Sequence, residues 1–289
     1  MKILVIGNGF VAGPICEVLK VEGHEILIYS RTASKKIQSQ QVEGDIFDFT
    51  DFAKVFAWRP NVVIHTAWIT TPGVYKSDPS NFKYAEFTIS LANLIAHSDV
   101  EHLIVLGTCA EYGQQTGPST AGITKTAPKN LYSEQKVAAF RAVENTFKDS
   151  TTRLTWARLF FPFGPYQHEK RLIPLLINSL RGEAPIQLAD VSSVYDWITT
   201  RDIASAISWV IGHELPTEID IGTSIGFTNF ELLTILEKLL QIKHLVKPHL
   251  AHKMGANEFF VMGKDSPLLT SGWLPIDTLE SGLKWTLEQ

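Results

Sequence analysis

The segment Ile3-Leu4-Val5-Ile6-Gly7-Asn8-Gly9-Phe10-Val11-Ala12-Gly13 decides how the rest of the chain is read. Its first four residues are apolar and mostly β-branched, and they stop at a glycine, which predicts a short buried strand. The stretch that follows predicts a tight turn into a helix. Gly7 permits the turn, Gly9 lets a pyrophosphate approach the backbone, and Ala12 allows the helix to pack closely on the strand. The amino end of the helix then faces the anion. Asn8, Phe10 and Val11 complete the turn. A glycine-rich turn alone is weak, but at the first strand-to-helix junction it points to a dinucleotide site.

Working outward, short apolar runs bounded by turn residues recur at Glu25 to Tyr29, Val62 to His65, Leu103 to Leu106 and Leu154 to Phe160. Helical patterns separate them at Pro14 to Glu22, Thr50 to Trp58, Pro79 to His97 and Tyr132 to Phe147. Strand-helix alternation predicts an α/β fold, a Rossmann-type doubly wound parallel sheet with right-handed crossovers. Beyond Pro162 the pattern loosens. Helices are expected over Ile173 to Leu180, Arg201 to Ile211 and Asn229 to Leu240, with a strand near Ile186 to Leu188 and a strand end at Asp220-Ile221-Gly222. Residues 1–165, joined by parts of 196–224, are expected to form the dinucleotide-binding domain. Residues 166–195 and 225–289 form a smaller substrate-binding one.

The chain has 289 residues, 45% hydrophobic and 19% charged, enough for a full core. A net charge of −4 without a long basic block argues against a nucleic-acid partner. Cys16 and Cys109 lie far apart and offer no disulfide framework, which fits a reducing cytoplasm. No apolar run is long enough for a signal-peptide core or a membrane span. His249 and His252 lack a supporting ligand set, so no metal is expected.

Which nicotinamide cofactor binds is decided after the second strand. An acidic residue there would accept hydrogen bonds from a ribose hydroxyl, whereas this chain has Ser30-Arg31, with Lys35 and Lys36 close behind. A guanidinium suits a 2′-phosphate, so NADP is favoured, with NAD as the other possibility. The fourth apolar run delivers Thr108 to the same sheet edge, where its hydroxyl can bond a substrate carbonyl. Glu111 is open to two roles, a substrate contact or a turn cap. Cys109 lies at the substrate edge, but no paired histidine supports it as a nucleophile. Trp68, after another strand, is open to stacking on substrate.

Tyr132 and Lys136 are one helical turn apart and share a face. A free phenol has a pKa of about 10, and a neighbouring ammonium favours its ionised form, so the pair can move a proton near neutrality. The same spacing recurs at Tyr166 and Lys170, but Gly164-Pro165 and Pro174 place that copy in a loop.

Together these motifs resemble the extended short-chain dehydrogenase/reductase family of nucleotide-sugar epimerases, dehydratases and ketoreductases. Gly44-Asp45-Ile46 is similar to its adenine-contacting turn, and Val63-Ile64-His65-Thr66-Ala67 to its fourth-strand motif beside the cofactor. Arg158-Leu159-Phe160-Phe161-Pro162-Phe163-Gly164-Pro165 resembles the segment after the sixth strand. Arg171-Leu172-Ile173-Pro174, Asp220-Ile221-Gly222 and Gly272-Trp273-Leu274-Pro275 resemble landmarks of its substrate domain.

The resemblance implies cofactor contacts at Asp45, Ile46, Thr66, Ala67, Phe160, Phe161 and Lys136, a substrate contact at Arg171, and pairing of the helices near 81–97 and 132–147 in a homodimer. Departures carry information too. The glycine turn is one residue shorter than the usual family form. Cys109-Ala110 stands where dehydratases carry an Asp-Glu pair, which disfavours water elimination. Tyr195 replaces an arginine that often meets a substrate diphosphate, with Arg171 or Arg201 as the substitute charge unless Arg201 serves only a surface helix start, and Phe161 replaces an asparagine.

The expected activity is hydride transfer from NADPH to a ketone, taken as C4 of a 4-keto-6-deoxy nucleotide sugar. Tyr132 is the proton donor, Lys136 holds the nicotinamide ribose, and Thr108 fixes the carbonyl. An epimerase retaining NAD and a non-catalytic dinucleotide sensor are the alternatives.

Overall fold

The computed structural model describes residues 1–34, 37–48, 52, 55–182, 190–242 and 258–289. The opening run is strand β1 (Lys2–Ile6), and helix α1 (Ala12–Val21) follows its glycine turn. Then come β2 (Glu25–Ser30), β3 (Gln40–Glu43), β4 (Val62–His65), α2 (Ser80–Ala96), β5 (His102–Thr108), α3 (Leu131–Thr146) and β6 (Arg153–Leu159). These strands and β9 (Glu218–Ile221) form a seven-stranded parallel sheet in the order β3-β2-β1-β4-β5-β6-β9. Strand order reverses between β1 and β4, and at such a switch point the crossovers diverge to opposite faces and leave a crevice at the carboxyl ends of the strands.

Alternate side chains of each strand feed two cores. On one face Ile3, Val5, Ile28, Ile64 and Ile104 pack against α1 and against α5 (Thr200–Gly212). On the other, Leu4, Ile6, Val63, Val105 and Trp156 pack against α2 and α3. Helix α1 begins at Ala12, two residues before the expected Pro14, because proline is tolerated anywhere in a first turn whose N–H groups have no intrahelical partner.

Past Phe160 the chain builds a second sheet around β8 (Val194–Thr199). Its neighbours are β7 (Phe161–Phe163), β10 (Gly226–Thr228) and β11 (Phe259–Phe260). Helices α4 (Leu172–Leu180), α6 (Asn229–Leu239) and α8 (Leu279–Leu287) share its core around Phe163, Trp197 and Leu232, while the short α7 (Pro267–Thr270) buries Leu268 in the core against β9. The expected strand Ile186 to Leu188, Lys35, Lys36, His249 and His252 lie outside the described residues, as does part of the expected helix Thr50 to Trp58. Among the described residues no helix is long and apolar enough to cross a membrane.

Candidate active site

Gly7 has φ +104°, in the region that favours glycine, and its N–H donates to Tyr29 O at 2.8 Å. A Cβ there would stand 2.7 Å from Thr66 Oγ1, so the turn is closed to any side chain. Thr66 in turn donates from both its N–H and its hydroxyl to Ile6 O, each at 2.9 Å, and ties β4 to β1 at the switch point. Gly9 differs from Gly7: it is exposed, and an added Cβ would meet nothing within 4 Å. Helix α1 starts without a side-chain cap. A backbone open beside Gly9 and an uncapped helix end fit the pyrophosphate of a dinucleotide.

The residues expected on the adenosine side follow β2. The Asn8 amide and the Ser30 hydroxyl both donate to Thr32 O, the latter at 2.9 Å, and so shape the loop that carries exposed Arg31. Asp45 accepts from Phe47 N–H at 3.0 Å, and its carbonyl accepts from the Tyr29 hydroxyl at 3.0 Å. Ile46 is buried beside them, Ala67 packs on the α2–α3 core, and Phe10 and Val11 are half-buried at the start of α1.

β5 delivers Thr108 to the sheet edge as the cap of a 3-10 turn, Cys109–Tyr112. Asn130 caps α3 reciprocally with Ser133, which aims the first turn of that helix at Thr108. The Thr108 side chain lies close enough to the Tyr132 hydroxyl to act on its ionisation. Lys136, 4% exposed, donates to Leu106 O at 2.6 Å. Thr108, Tyr132 and Lys136 therefore converge at the mouth of the sheet.

The electrostatics differ from the expectation of an ammonium-lowered phenol. Burial pushes the Tyr132 hydroxyl well above its ordinary range, and Tyr75, with its ring 4.9 Å away, adds to that; the neighbouring Thr108 side chain acts the other way. Burial also lowers Lys136 from 10.5 to about 7, with Glu111 partly opposing it. Desolvation outweighs the mutual influence of the pair.

Several substrate-side expectations are corrected. Glu111 is fully buried: Oε1 accepts the Thr108 backbone N–H at 2.9 Å, Trp156 Nε1 lies 3.1 Å away, and Arg158 Nε donates to Oε2 at 2.7 Å. It is a turn cap locked in an ion pair, with no oxygen left for a substrate. Cys109 is buried with Tyr112, Phe160 and Met262, and burial among nearby carboxylates drives its thiol far up, opposite to what a nucleophile or a polar substrate contact requires. Phe160, 2% exposed, belongs to that cluster, whereas Phe161 is half-buried beside Tyr195, ring centroids 4.4 Å apart. Trp68 is 8% exposed and faces Lys136 and Tyr84, so it is part of the wall behind the lysine.

Tyr195, which the resemblance sets where an arginine was expected, donates to Glu258 at 2.8 Å inside a ring cluster with Phe161, Trp197 and Phe260. Arg171 reaches across from the start of α4 to donate to Thr70 O at 2.6 Å, and its guanidinium lies 5.2 Å from the Tyr75 ring. Arg201 is held by Asp277 and is not available as a substitute. Tyr166 and Lys170 lie between β7 and α4, outside any helix.

Sequence reading missed Tyr75, Asn81 and Tyr112, and it named Arg158 and Asp220 without seeing that the fold buries them together with Tyr112. Tyr112 donates to Asp220 at 2.8 Å, and burial raises that carboxyl to about 7. A signal for this set existed: Arg158 interrupts the apolar strand Leu154 to Phe160, and a charge in a buried strand requires a partner.

Residues 3–222 match the model of the NAD dependent epimerase/dehydratase family. The chain is 28% identical over 181 residues to a dTDP-glucose 4,6-dehydratase of Neisseria gonorrhoeae, a match that spans 57% of this chain and only about half, 51%, of the relative. A UDP-glucose 4-epimerase of Lactobacillus helveticus is 22% identical, with 99% of this chain and 97% of the relative covered. In three dimensions the chain superposes on the UDP-glucose 4-epimerase of Thermus thermophilus, solved in complex with NAD. The TM-score is 0.86 at 22% identity, covering 100% of this chain and 98% of that one.

Proposed function

The chain belongs to the NAD dependent epimerase/dehydratase family, and from that premise we propose that it reduces a ketone with NADP as coenzyme. The substrate in this reading is the 4-keto group of a nucleotide-activated 6-deoxy sugar. The observation that carries the redox part is that Thr108 and Tyr132 come together at the mouth of the sheet, with Lys136 one turn further along α3 and bonded to Leu106 O of the strand that carries Thr108. When bound, a nicotinamide supplies the hydride.

The chain supplies the proton and the geometry. Tyr132 gives its hydroxyl proton to the carbonyl oxygen as charge develops there, and Thr108 orients that oxygen. Burial keeps the phenol protonated near neutral pH, which is the state a donor needs. Lys136 offers its remaining N–H groups to the ribose, and the turn at Gly9 holds the pyrophosphate.

Arg31 at the end of β2, without an acidic neighbour in that position, supports NADP over NAD. Both sequence relatives are named for nucleotide sugars, which supports that substrate class. The buried, protonated Cys109 and the bare Ala110 after Thr108 leave no acid and base for eliminating water. A cytoplasmic homodimer completes the proposal. A retained-NAD epimerase is the second reading, favoured by the epimerase whose whole length this chain spans and by the NAD held in the Thermus structure.

The test is Tyr132→Phe, assayed with NADPH against a panel of 4-keto nucleotide sugars preselected by thermal shift. Turnover falls about a thousandfold while NADPH affinity is kept. Unchanged turnover removes Tyr132 from the reaction. NAD that stays with the wild-type protein through purification favours the epimerase, and no turnover with any substrate favours a dinucleotide sensor.

A further inference from the structure

Trp68 follows β4 and Lys136 lies on α3, and they meet behind the site: Lys136 Nζ is 3.8 Å from the Trp68 ring centroid. The indole is anchored at its far edge. Trp68 Nε1 donates to Asn81 Oδ1 at 2.7 Å, and Asn81, fully buried, donates from Nδ2 to Tyr75 O and Asp78 O, both at 2.8 Å. Tyr84 stacks on the indole at 5.7 Å, so the ring is held by a hydrogen bond and by packing.

The lysine it faces is short of other partners. One N–H goes to Leu106 O at 2.6 Å, and Trp156 is a more distant ring at 5.8 Å. Of the charged and titratable groups around it, Glu111 from the turn after β5 is engaged by Arg158 of β6, His65 of β4 bonds Thr88 Oγ1 at 2.9 Å, and Tyr132 shares its own helix. Burial lowers His65 to about 3, so it is neutral at any pH where the fold is at issue. A desolvated ammonium over an indole is attracted by the negative face of the ring, and tryptophan is the strongest aromatic partner for it.

We propose that Trp68 is a positioning residue for Lys136: its indole face, beside a Glu111 carboxylate already engaged by Arg158, holds the buried ammonium charged and selects which N–H groups it can offer to a coenzyme ribose. The significance of that role rests on the proposed function, but the charge of Lys136 can be measured without coenzyme or substrate, so failure of one is distinguishable from failure of the other.

The experiment follows the ε-carbon resonances of isotopically labelled lysines across pH, with Lys136 assigned by its loss in Lys136→Arg. In Trp68→Leu, which keeps the space apolar but removes the ring, the Lys136 midpoint moves acidward by about one pH unit. Trp68→Phe, with a weaker ring face, moves it less. Fluorinated tryptophans keep the shape and drain the face of the ring, so Trp156→Phe protein, in which Trp68 is the indole left over Lys136, grown on mono- and difluorotryptophan gives midpoints that fall with fluorine number, which decides the matter even if Trp68→Leu does not fold. A purely structural tryptophan leaves the midpoint in place in the fluorinated protein, and that result overturns the proposal.

Discussion

Arg158 Nε and Glu111 Oε2 meet at 2.7 Å with 1% and 0% of their side chains exposed, and the other oxygen of the same carboxylate caps Thr108 at 2.9 Å. A buried ion pair thus fixes the residue that presents the candidate site's hydroxyl. Because the charges are already out of water, removing one leaves the other poorly compensated, with only partly exposed Glu218 at 2.6 Å to share the load. Glu111→Gln is expected to lower folding stability by about 3 kcal/mol, read from urea unfolding at pH 7.

Lys136 provides a test in the opposite direction. Its folded-state pKa is lowered from 10.5 to about 7, so between those pH values the unfolded chain binds the proton more tightly. Stability contributed by this residue is therefore absent below about pH 7 and gained as pH rises towards 10.5. Lys136→Met is expected to be more stable than wild type at pH 6 by about 2 kcal/mol, an amount discounted for relaxation around the buried charge. The advantage shrinks through that window, as thermal unfolding across pH would report.

Arg31 tests the choice of coenzyme. Arg31→Asp removes a charged donor and introduces repulsion against a 2′-phosphate, so NADPH affinity should fall roughly ten- to hundredfold. NADH affinity should hold or improve. Calorimetric titration of both coenzymes into both proteins measures it.

The parts that could be read from sequence were those where chemistry and local pattern coincide. The run Ile3 to Ile6 ending at Gly7, and Tyr132 to Phe147 with its tyrosine and lysine one turn apart, carry their conformation in their own residues. Strand β3, Gln40-Gln41-Val42-Glu43, escaped because it is mostly polar and none of its residues is buried, and only backbone pairing with β2 makes it a strand. β8 escaped for a related reason: Val194 to Thr199 sets the charged Asp196 between two aromatic residues, and its neighbours β7, β10 and β11 arrive from far along the chain. At the site, the residue types were visible but not their facing. Trp68 and Glu111 looked open to substrate until the fold turned one onto Lys136 and the other onto Arg158. The lowered phenol was a pairwise expectation that ignored burial, which acts on Tyr132 and Lys136 alike.

Gly7 and Gly9 separate folding from binding, and titrating NADPH into wild-type protein and Gly9→Ala tests the central claim most directly. A Cβ at Gly9 meets nothing within 4 Å and the residue lies outside the left-handed region, so the variant should match wild-type stability within about 0.5 kcal/mol. The account predicts saturable binding of one dinucleotide to the wild-type chain and at least roughly tenfold weaker binding to Gly9→Ala, because the methyl occupies the approach of the pyrophosphate. Equal affinity in the two proteins, or no saturable binding of either NADPH or NADH to the wild type, would contradict it.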